Sequence, residues 1–360
     1  MNCSRQKKSS GTVYSYGRSG RVFYDRSFRK LALNVEPVLD EAGLEFYLNN
    51  GYFPPAHMVF RGVKKIIPDM GYPTQILREN RSVTEDTAAI GLNNRLLEAF
   101  SGFSSQKAVV LFTGGLDGAI VAAFLKSMRR TVVTACGGFY GYDSSLFRDA
   151  EQSASILGFK HNNIEVTFRE AQSSWPLVIK SEDEPVFDLD TCTAYSLFIA
   201  ARDLGEAFYS GMGCDSVFSL KRNRAYWRNF REKSLVEISA HENIINKACG
   251  MSIHFPYLNS GFADYVYSLP ARFKIKGGID KYILRRISSG LLPQTIVHKM
   301  SNSVSFPTSW IKALAVSYSA DIRSCAPLYR YYSKIRIGGI RKDMLVLKLA
   351  YLALWLKGLR

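Results

Sequence analysis

Two short stretches carry residues that could do chemistry. The first, Thr113-Gly-Gly-Leu-Asp-Gly118, follows the apolar run Ala108 to Phe112 and precedes a segment with Ile120, Val121, Ala123 and Phe124 on one face. That spacing predicts a buried strand, a glycine turn and a helix. Glycines let backbone N–H groups approach an anion, and a helix N-terminus adds positive potential. Asp117 falls in the first helical turn. A carboxylate beside a phosphate-sized hole repels the anion unless a divalent cation bridges the two. The stretch therefore suggests pyrophosphate with magnesium, hence ATP cleaved between its α and β phosphates. An ordinary βα turn capped by Thr113 and Asp117 would use the same residue types. A Walker loop is excluded, because no Gly-Lys-Ser/Thr follows.

The second stretch, Ser210-Gly-Met-Gly-Cys-Asp-Ser-Val-Phe218, repeats the logic. A short strand ends, Gly211 and Gly213 follow, and one carboxylate, Asp215, is presented. Two such turns on neighbouring strands would put Asp117 and Asp215 on one magnesium ion. Thr113, Gly114, Gly115 and Gly118 would cradle pyrophosphate, with Gly211 and Gly213 beside them. Gly137 and Gly138, by position alone, border the adenine.

The elements that must position these turns follow from periodicity. Helical spacing covers Asp40 to Asn49 and Val83 to Phe100. Gly51 to Met70 reads as a loop punctuated by Pro54, Pro55 and Pro68. Arg130 to Gly138 reads as a second strand and Ser145 to Leu157 as a helix closed by Gly158. Asn163 to Phe168 is a third strand, Thr191 to Leu204 a helix and Ala207 to Ser210 a fourth strand. This rhythm predicts an α/β fold: a parallel sheet flanked by helices, with a helical C-terminal part from about Arg222. Both acidic turns then lie at the C-terminal strand ends, where such sheets bind ligands. Three segments are expected: 1–38, irregular or weakly β; 39–330, the main domain; and 331–360, a basic C-terminal helix packed on it.

Composition narrows the class. At 360 residues with 47% hydrophobic content the chain can bury a full core. Met344 to Leu356, the most apolar run, is too short for a bilayer and carries Lys348, so it reads as a buried helix. No apolar segment follows the basic N-terminus, so no signal peptide is expected. The cysteines at 3, 136, 192, 214, 249 and 325 form no CxxC pair. Zinc ribbons are thereby excluded, and scattered thiols suit a reducing cytoplasm. The net charge of +16 favours polyanions, ATP among them, or an acidic peptide, and a solvated surface equally accommodates it. The run Lys221 to Lys233 holds six basic residues with Tyr226, Trp227 and Phe230. It suits a charged substrate entrance, and more simply a surface helix with its aromatics in the core.

The two turns together resemble the asparagine synthetase family, in its synthetase domain. That family's loop reads Ser-Gly-Gly-Leu-Asp-Ser, against Thr113 to Gly118 here. Its second motif reads roughly Ser-Gly-x-Gly-x-Asp-Glu-x-Phe, against Ser210 to Phe218. Gly51 to Pro68, Asp149 to His161, Ala248 to Asn259, Lys281 to Arg285 and Leu292 to Lys299 are similar to further family segments in the same order. The resemblance implies a PP-loop ATP pyrophosphatase (adenine nucleotide α-hydrolase-like) fold with ATP and Mg2+ as cofactors. It implies adenylation of a substrate carboxylate, followed by attack of an amine to form an amide.

About forty residues precede the match, so the family's glutamine-hydrolysing domain is not expected in this chain. The branches without it, β-lactam synthetases and lasso-peptide cyclases, join an amine of the substrate itself to the activated carboxylate. The expected partners are a peptide or amino-acid-like acid and a separate protein that supplies it, with no membrane and no nucleic acid.

Five positions depart from the family pattern. Gly118 replaces the loop's last serine. Met212 stands where a glutamate or tyrosine handles the nucleophile, and Ser216 replaces a glutamate. Asn259 replaces an aspartate. The pyrophosphate lysine falls on Ser301, with Lys299 two residues earlier as its candidate substitute. Glu237 and Glu242 are candidate bases in place of Met212. These departures leave two alternatives open: a catalytically degenerate relative that binds nucleotide or a partner, and a PP-loop enzyme that modifies RNA.

Overall fold

The computed structural model describes residues 12–18, 21–66, 80–102, 104–220, 238, 241–242, 244–247, 249–299, 305–335 and 338–359. The chain forms two compact units. One comprises Met1–Tyr72, Ile179–Asp188 and Thr308–Arg360; the other comprises Pro73–Val178 and Leu189–Pro307. These units cut across the segments 1–38, 39–330 and 331–360 expected from sequence. Linear boundaries cannot express a unit built from both chain ends and an internal decapeptide.

In the first unit, β1 (Val13–Arg18) pairs antiparallel with β2 (Arg21–Asp25) and with β3 (Val63–Ile66). β3 falls within the stretch expected to be loop. Its four residues alternate buried and exposed, a strand signal too short to stand out among the surrounding prolines. α1 (Phe28–Ala32) follows β2, and α2 (Glu41–Asn50) is capped by Asp40, which accepts a hydrogen bond from the Gly43 N–H at 2.8 Å. The C-terminal helix Gly339–Lys357 contains the apolar run and is buried chiefly between Val346 and Trp355. Its Trp355 stacks on Phe28 at 5.5 Å between ring centroids, and its Lys348 donates to the Leu48 carbonyl at the end of α2.

Glu182 sits at the centre of this unit. Tyr351 donates to its Oε2 at 2.6 Å and the Val186 N–H at 3.2 Å. Its Oε1 is buried without a hydrogen-bond partner.

The second unit starts with α3 (Glu85–Ser101), capped by Thr84. β4 (Lys107–Leu111), α4 (Leu116–Ser127), β5 (Thr131–Phe139), α5 (Ser144–Leu157) and β6 (Lys160–Val166) follow in strict alternation. α6 (Phe168–Ser181) was not anticipated. Its internal Pro176 breaks the helical sequence signal although the helix runs through it. α7 (Leu189–Ala201), β7 (Ala207–Ser210), α8 (Cys214–Phe218) and β8 (Ser252–His254) complete the sheet. β8, a fifth strand in the part expected to be helical, is only three residues long and pairs with β7.

All five strands are parallel, in the order β6-β5-β4-β7-β8. β4 is central and its Ala108, Val109 and Val110 are fully buried, as a strand covered by helices requires. No helix among the described residues is long and apolar enough to cross a membrane.

Burial pushes the Glu182 carboxyl up to about 8, against the pull of the Tyr351 and Val186 hydrogen bonds. The folded state therefore holds a proton that the unfolded chain releases near 4.5. Stability contributed by the neutral carboxyl is present below that value and is lost as pH rises toward 8. The expected outcome is a wild-type melting temperature that declines across this window by more than that of Glu182→Gln, measured by thermal denaturation at stepped pH.

Candidate active site

The register of the sheet creates the site. Leu111, the last residue of β4, pairs with Ala135 of β5 on one side and Ser210 of β7 on the other. Ser210 is also the last residue of β7. The chain therefore leaves two adjacent strands at the same level, and the two acidic turns emerge side by side.

The first turn passes through Thr113 to Gly114, whose φ of +84° suits glycine, and a Cβ there would lie 2.7 Å from the Asp149 carbonyl oxygen. Gly115 begins α4 without any side-chain cap. The first-turn N–H groups of α4 are thus left to an incoming acceptor, which is the condition for an anion site. A Cβ on Gly118 would meet the Phe112 ring at 3.0 Å and the Leu111 carbonyl at 3.2 Å. Glycine instead of the family's serine accordingly lets α4 lie close on the end of β4.

In the second turn a Cβ on Gly211 would press on Asp117 and on the Gly118 nitrogen at 3.0 Å. The two turns touch through this bare position. Gly213, at φ +90°, would carry a Cβ into Leu258.

Asp117 and Asp215 converge on a residue to which the sequence attached no role. Lys281 Nζ lies 2.7 and 2.9 Å from the two Asp117 carboxylate oxygens and 2.6 Å from Asp215 Oδ1. The Lys281 side chain is 3% exposed, Asp117 15% and Asp215 74%. The pair is buried at one end and open to solvent at the other. Lys281 immediately precedes helix Tyr282–Ser288 with φ +51°, a left-handed conformation that costs a lysine about 1 kcal/mol or more. The hairpin Ile275–Lys276 with Ile279–Asp280 delivers it there. Arg285 fixes the hairpin's end, donating from Nε to the Asp280 carbonyl at 2.8 Å and from a terminal nitrogen to the Asp280 carboxylate at 2.7 Å.

The charges are set by this packing. Burial works against the Lys281 ammonium, but the carboxylates of Asp117 and Asp215 outweigh it and hold the lysine above its ordinary range. Burial pushes Asp117 upward, and Lys281 opposes that push. Burial holds the Cys214 thiol far above its usual range, so it stays protonated. Tyr257, fully buried, donates its hydroxyl to the Asp117 carbonyl at 3.0 Å and so pins the first turn of α4. Asn259 caps helix Ser260–Ser268 by accepting from the Gly261 and Phe262 N–H groups, a duty that needs an acceptor oxygen rather than a charge.

The remaining expected residues lie as follows. Lys299 Nζ donates to Ser153 Oγ at 2.8 Å and to the Asp149 carbonyl at 3.3 Å, the same carbonyl that backs Gly114. It stands behind the first glycine turn, hydrogen-bonded to α5, while Lys281 stands between the carboxylates. Gly137 and Gly138 lie in the part of β5 beyond its last pair with β4; Cβ atoms there would meet Leu197 at 2.9 Å and Phe147 at 2.7 Å. Helix packing is reason enough for both glycines. Met212 packs against the apolar cluster that includes Val109, Phe208 and Ile253. Glu242 is exposed on a helical stretch. Glu237, Ser301 and the basic run 221–233 lie outside the described residues.

The parallel α/β sheet thus carries two acidic glycine turns at adjacent strand ends. A model of the asparagine synthase family matches residues 102–244 and 219–315. The chain belongs to the asparagine synthase family, with the PP-loop type of sheet that the resemblance implied.

The glutamine-hydrolyzing asparagine synthetases of Mesocricetus auratus and Homo sapiens are each 25% identical over 296 residues, 72% of this chain and 49% of theirs. The chain thus spans about half the length of the curated relatives it matches. Among solved structures, NMN synthetase from Francisella tularensis superposes over 62% of this chain at 12% identity and a TM-score of 0.28. NH3-dependent NAD synthetase from Campylobacter jejuni does so over 62% at 14% and 0.27. These superpositions are loose, and the assignment rests on the sequence match.

Two substitutions separate the parts of the site. Tyr257→Phe removes a buried hydrogen bond and should lower stability by about 1–2 kcal/mol in chemical denaturation, since the Asp117 carbonyl loses its partner. Gly114→Ala should cost about 1–3 kcal/mol from backbone strain and the clash with Asp149. Circular dichroism melts report both.

Proposed function

We propose that this protein is an ATP-dependent ligase that adenylates a substrate carboxylate and passes the acyl group to an amine. The observation that carries this is the convergence of Asp117 and Asp215, from turns on adjacent strands, on one cationic point beside an uncapped helix N-terminus. Their hard oxygen donors fit magnesium, which takes one or two carboxylates and completes its shell with water and phosphate oxygens. When bound there, magnesium would neutralise charge on the departing pyrophosphate.

The chain's own groups supply the rest. Backbone N–H groups from Gly114 to the first turn of α4 hold the β and γ phosphates. Lys281, freed from the carboxylates, and Lys299, behind the turn, offset the leaving-group charge. Gly137 and Gly138 border the adenine. A substrate carboxylate oxygen bonds to the α phosphorus as the bond to the bridging oxygen breaks and pyrophosphate leaves. The amine nitrogen then bonds to the acyl carbon, AMP departs, and the amine gives up a proton.

Met212 cannot accept that proton, because a thioether is no base, so Glu237 or Glu242 is assigned the task. The apolar setting of Met212 supports an amine that arrives uncharged, or an amine belonging to the substrate itself, as in peptide macrocyclisation. The acid is peptide-like or amino-acid-like, and a separate protein that delivers it fits the basic surface.

The test is ATP–pyrophosphate exchange by the full chain with magnesium and a panel of acids and peptides, with glutamine and ammonia as alternative amine sources. Acid-dependent exchange that falls by at least about a hundredfold in Asp215→Ala is the expected result. Asp215 is largely exposed, so its loss leaves the fold intact. Tight ATP binding with no exchange for any acid would instead identify a nucleotide-binding relative without catalysis.

A further inference from the structure

Lys281 is more than a neighbour of the two aspartates. Its ammonium lies 2.6–2.9 Å from three carboxylate oxygens, in the space between the carboxylates. A magnesium ion shared by Asp117 and Asp215 would need oxygens at about 2.0–2.1 Å and would therefore lie almost where Nζ lies. The two cations cannot both fit, and two carboxylates cannot balance three positive charges. Lys281 is also not there by chance of a flexible side chain. Its backbone is held left-handed at φ +51° by a hairpin on one side and a helix on the other, with Arg285 tying Asp280 in place.

We infer that Lys281 is a resident cation: it keeps free divalent metal out of the Asp117–Asp215 pair and yields the place only when a metal-bound polyphosphate arrives. The inference rests on the reading of that pair as the cation site. The route for the exchange is present. Asp215 is 74% exposed, so a metal–polyphosphate can approach from solvent. The uncapped start of α4 adjoins Asp117, so phosphate oxygens arrive next to the ammonium. A lysine stem has four rotatable carbons, enough to swing Nζ from carboxylate to phosphate while the strained backbone stays fixed. Two negative partners are exchanged for a more highly charged one, and the vacated oxygens take the metal. Metal and nucleotide then bind as one unit, and the empty protein holds no metal to catalyse unproductive chemistry.

Titration with Mn2+, followed by the electron paramagnetic resonance signal of the free ion, tests this on the full chain without measuring catalysis. Wild type without nucleotide is expected to bind Mn2+ at least tenfold more weakly than Lys281→Met. Adding a non-hydrolysable ATP analogue should bring wild type to tight binding. Lys281→Met combined with Asp215→Asn should lose the nucleotide-free binding, which ties the ion to the pair.

Nucleotide-free wild type that binds Mn2+ as tightly as Lys281→Met overturns the inference, and so does unchanged binding in the double variant. If Lys281→Met does not fold, Lys281→Gln, which keeps a polar stem, takes its place in the same comparison. Nucleotide-free exclusion in wild type, relieved in the lysine variants but not by the ATP analogue, upholds the resident cation while refuting ATP as the ligand. The two ideas therefore fail separately.

Discussion

The pairing of Leu111 with Ser210 is the constraint on which the site depends. β4 and β7 are far apart in the chain, yet they are neighbours in the sheet and end at the same level. Parallel strands point their C-terminal ends the same way, so two turns that leave together must meet. Gly211 completes the approach, since any side chain there would push against Asp117. Slipping the register by one residue would send each turn to the opposite face of the sheet. The chemistry thus depends on a backbone ladder that contains none of the reacting groups.

Bringing two carboxylates together has an electrostatic consequence. Asp117 is mostly buried, so its charge requires a partner. Lys281 supplies one, at the expense of a strained backbone, and the hairpin with Arg285 sustains the strain. The protonated Cys214 thiol and the Tyr257 hydroxyl fill the buried side of the turn without adding charge. The polar surroundings are therefore graded, from neutral donors deep inside to a solvent-open carboxylate at Asp215 that shares the Lys281 ammonium. A site built this way carries its own charge compensation, with Lys281 offsetting the paired carboxylates.

The first unit is built on different principles. Three short antiparallel strands and helices from both chain ends enclose aromatic contacts such as Phe28 on Trp355. At its centre lies a carboxyl that burial keeps protonated. Such a group stabilises through its hydrogen bonds only while neutral, which couples this unit to pH.

Much was legible in the sequence because it depends on neighbours along the chain. Apolar runs, helix periodicity and glycine positions marked β4, α4, β5, α5 and β7 within a residue or two, and both acidic turns were found from residue types alone. Short-range order of this kind is carried by backbone sterics and by the period of the apolar face. β3, β8 and α6 were not legible, because a three- or four-residue strand or a proline-bearing helix is selected by its packing partners rather than by its own pattern. Lys281 was visible as part of a motif but had no role until it was folded. Its partners lie 164 residues away at Asp117 and at Asp215 on a separate turn, and its part in the site follows from a register and a left-handed bend. The sequence by itself determined which local elements form and which acids they present. Only the tertiary structure decided that those acids share one cation and that the cation in place is the protein's own lysine, because long-range charge pairing depends on where the sheet brings distant strands together.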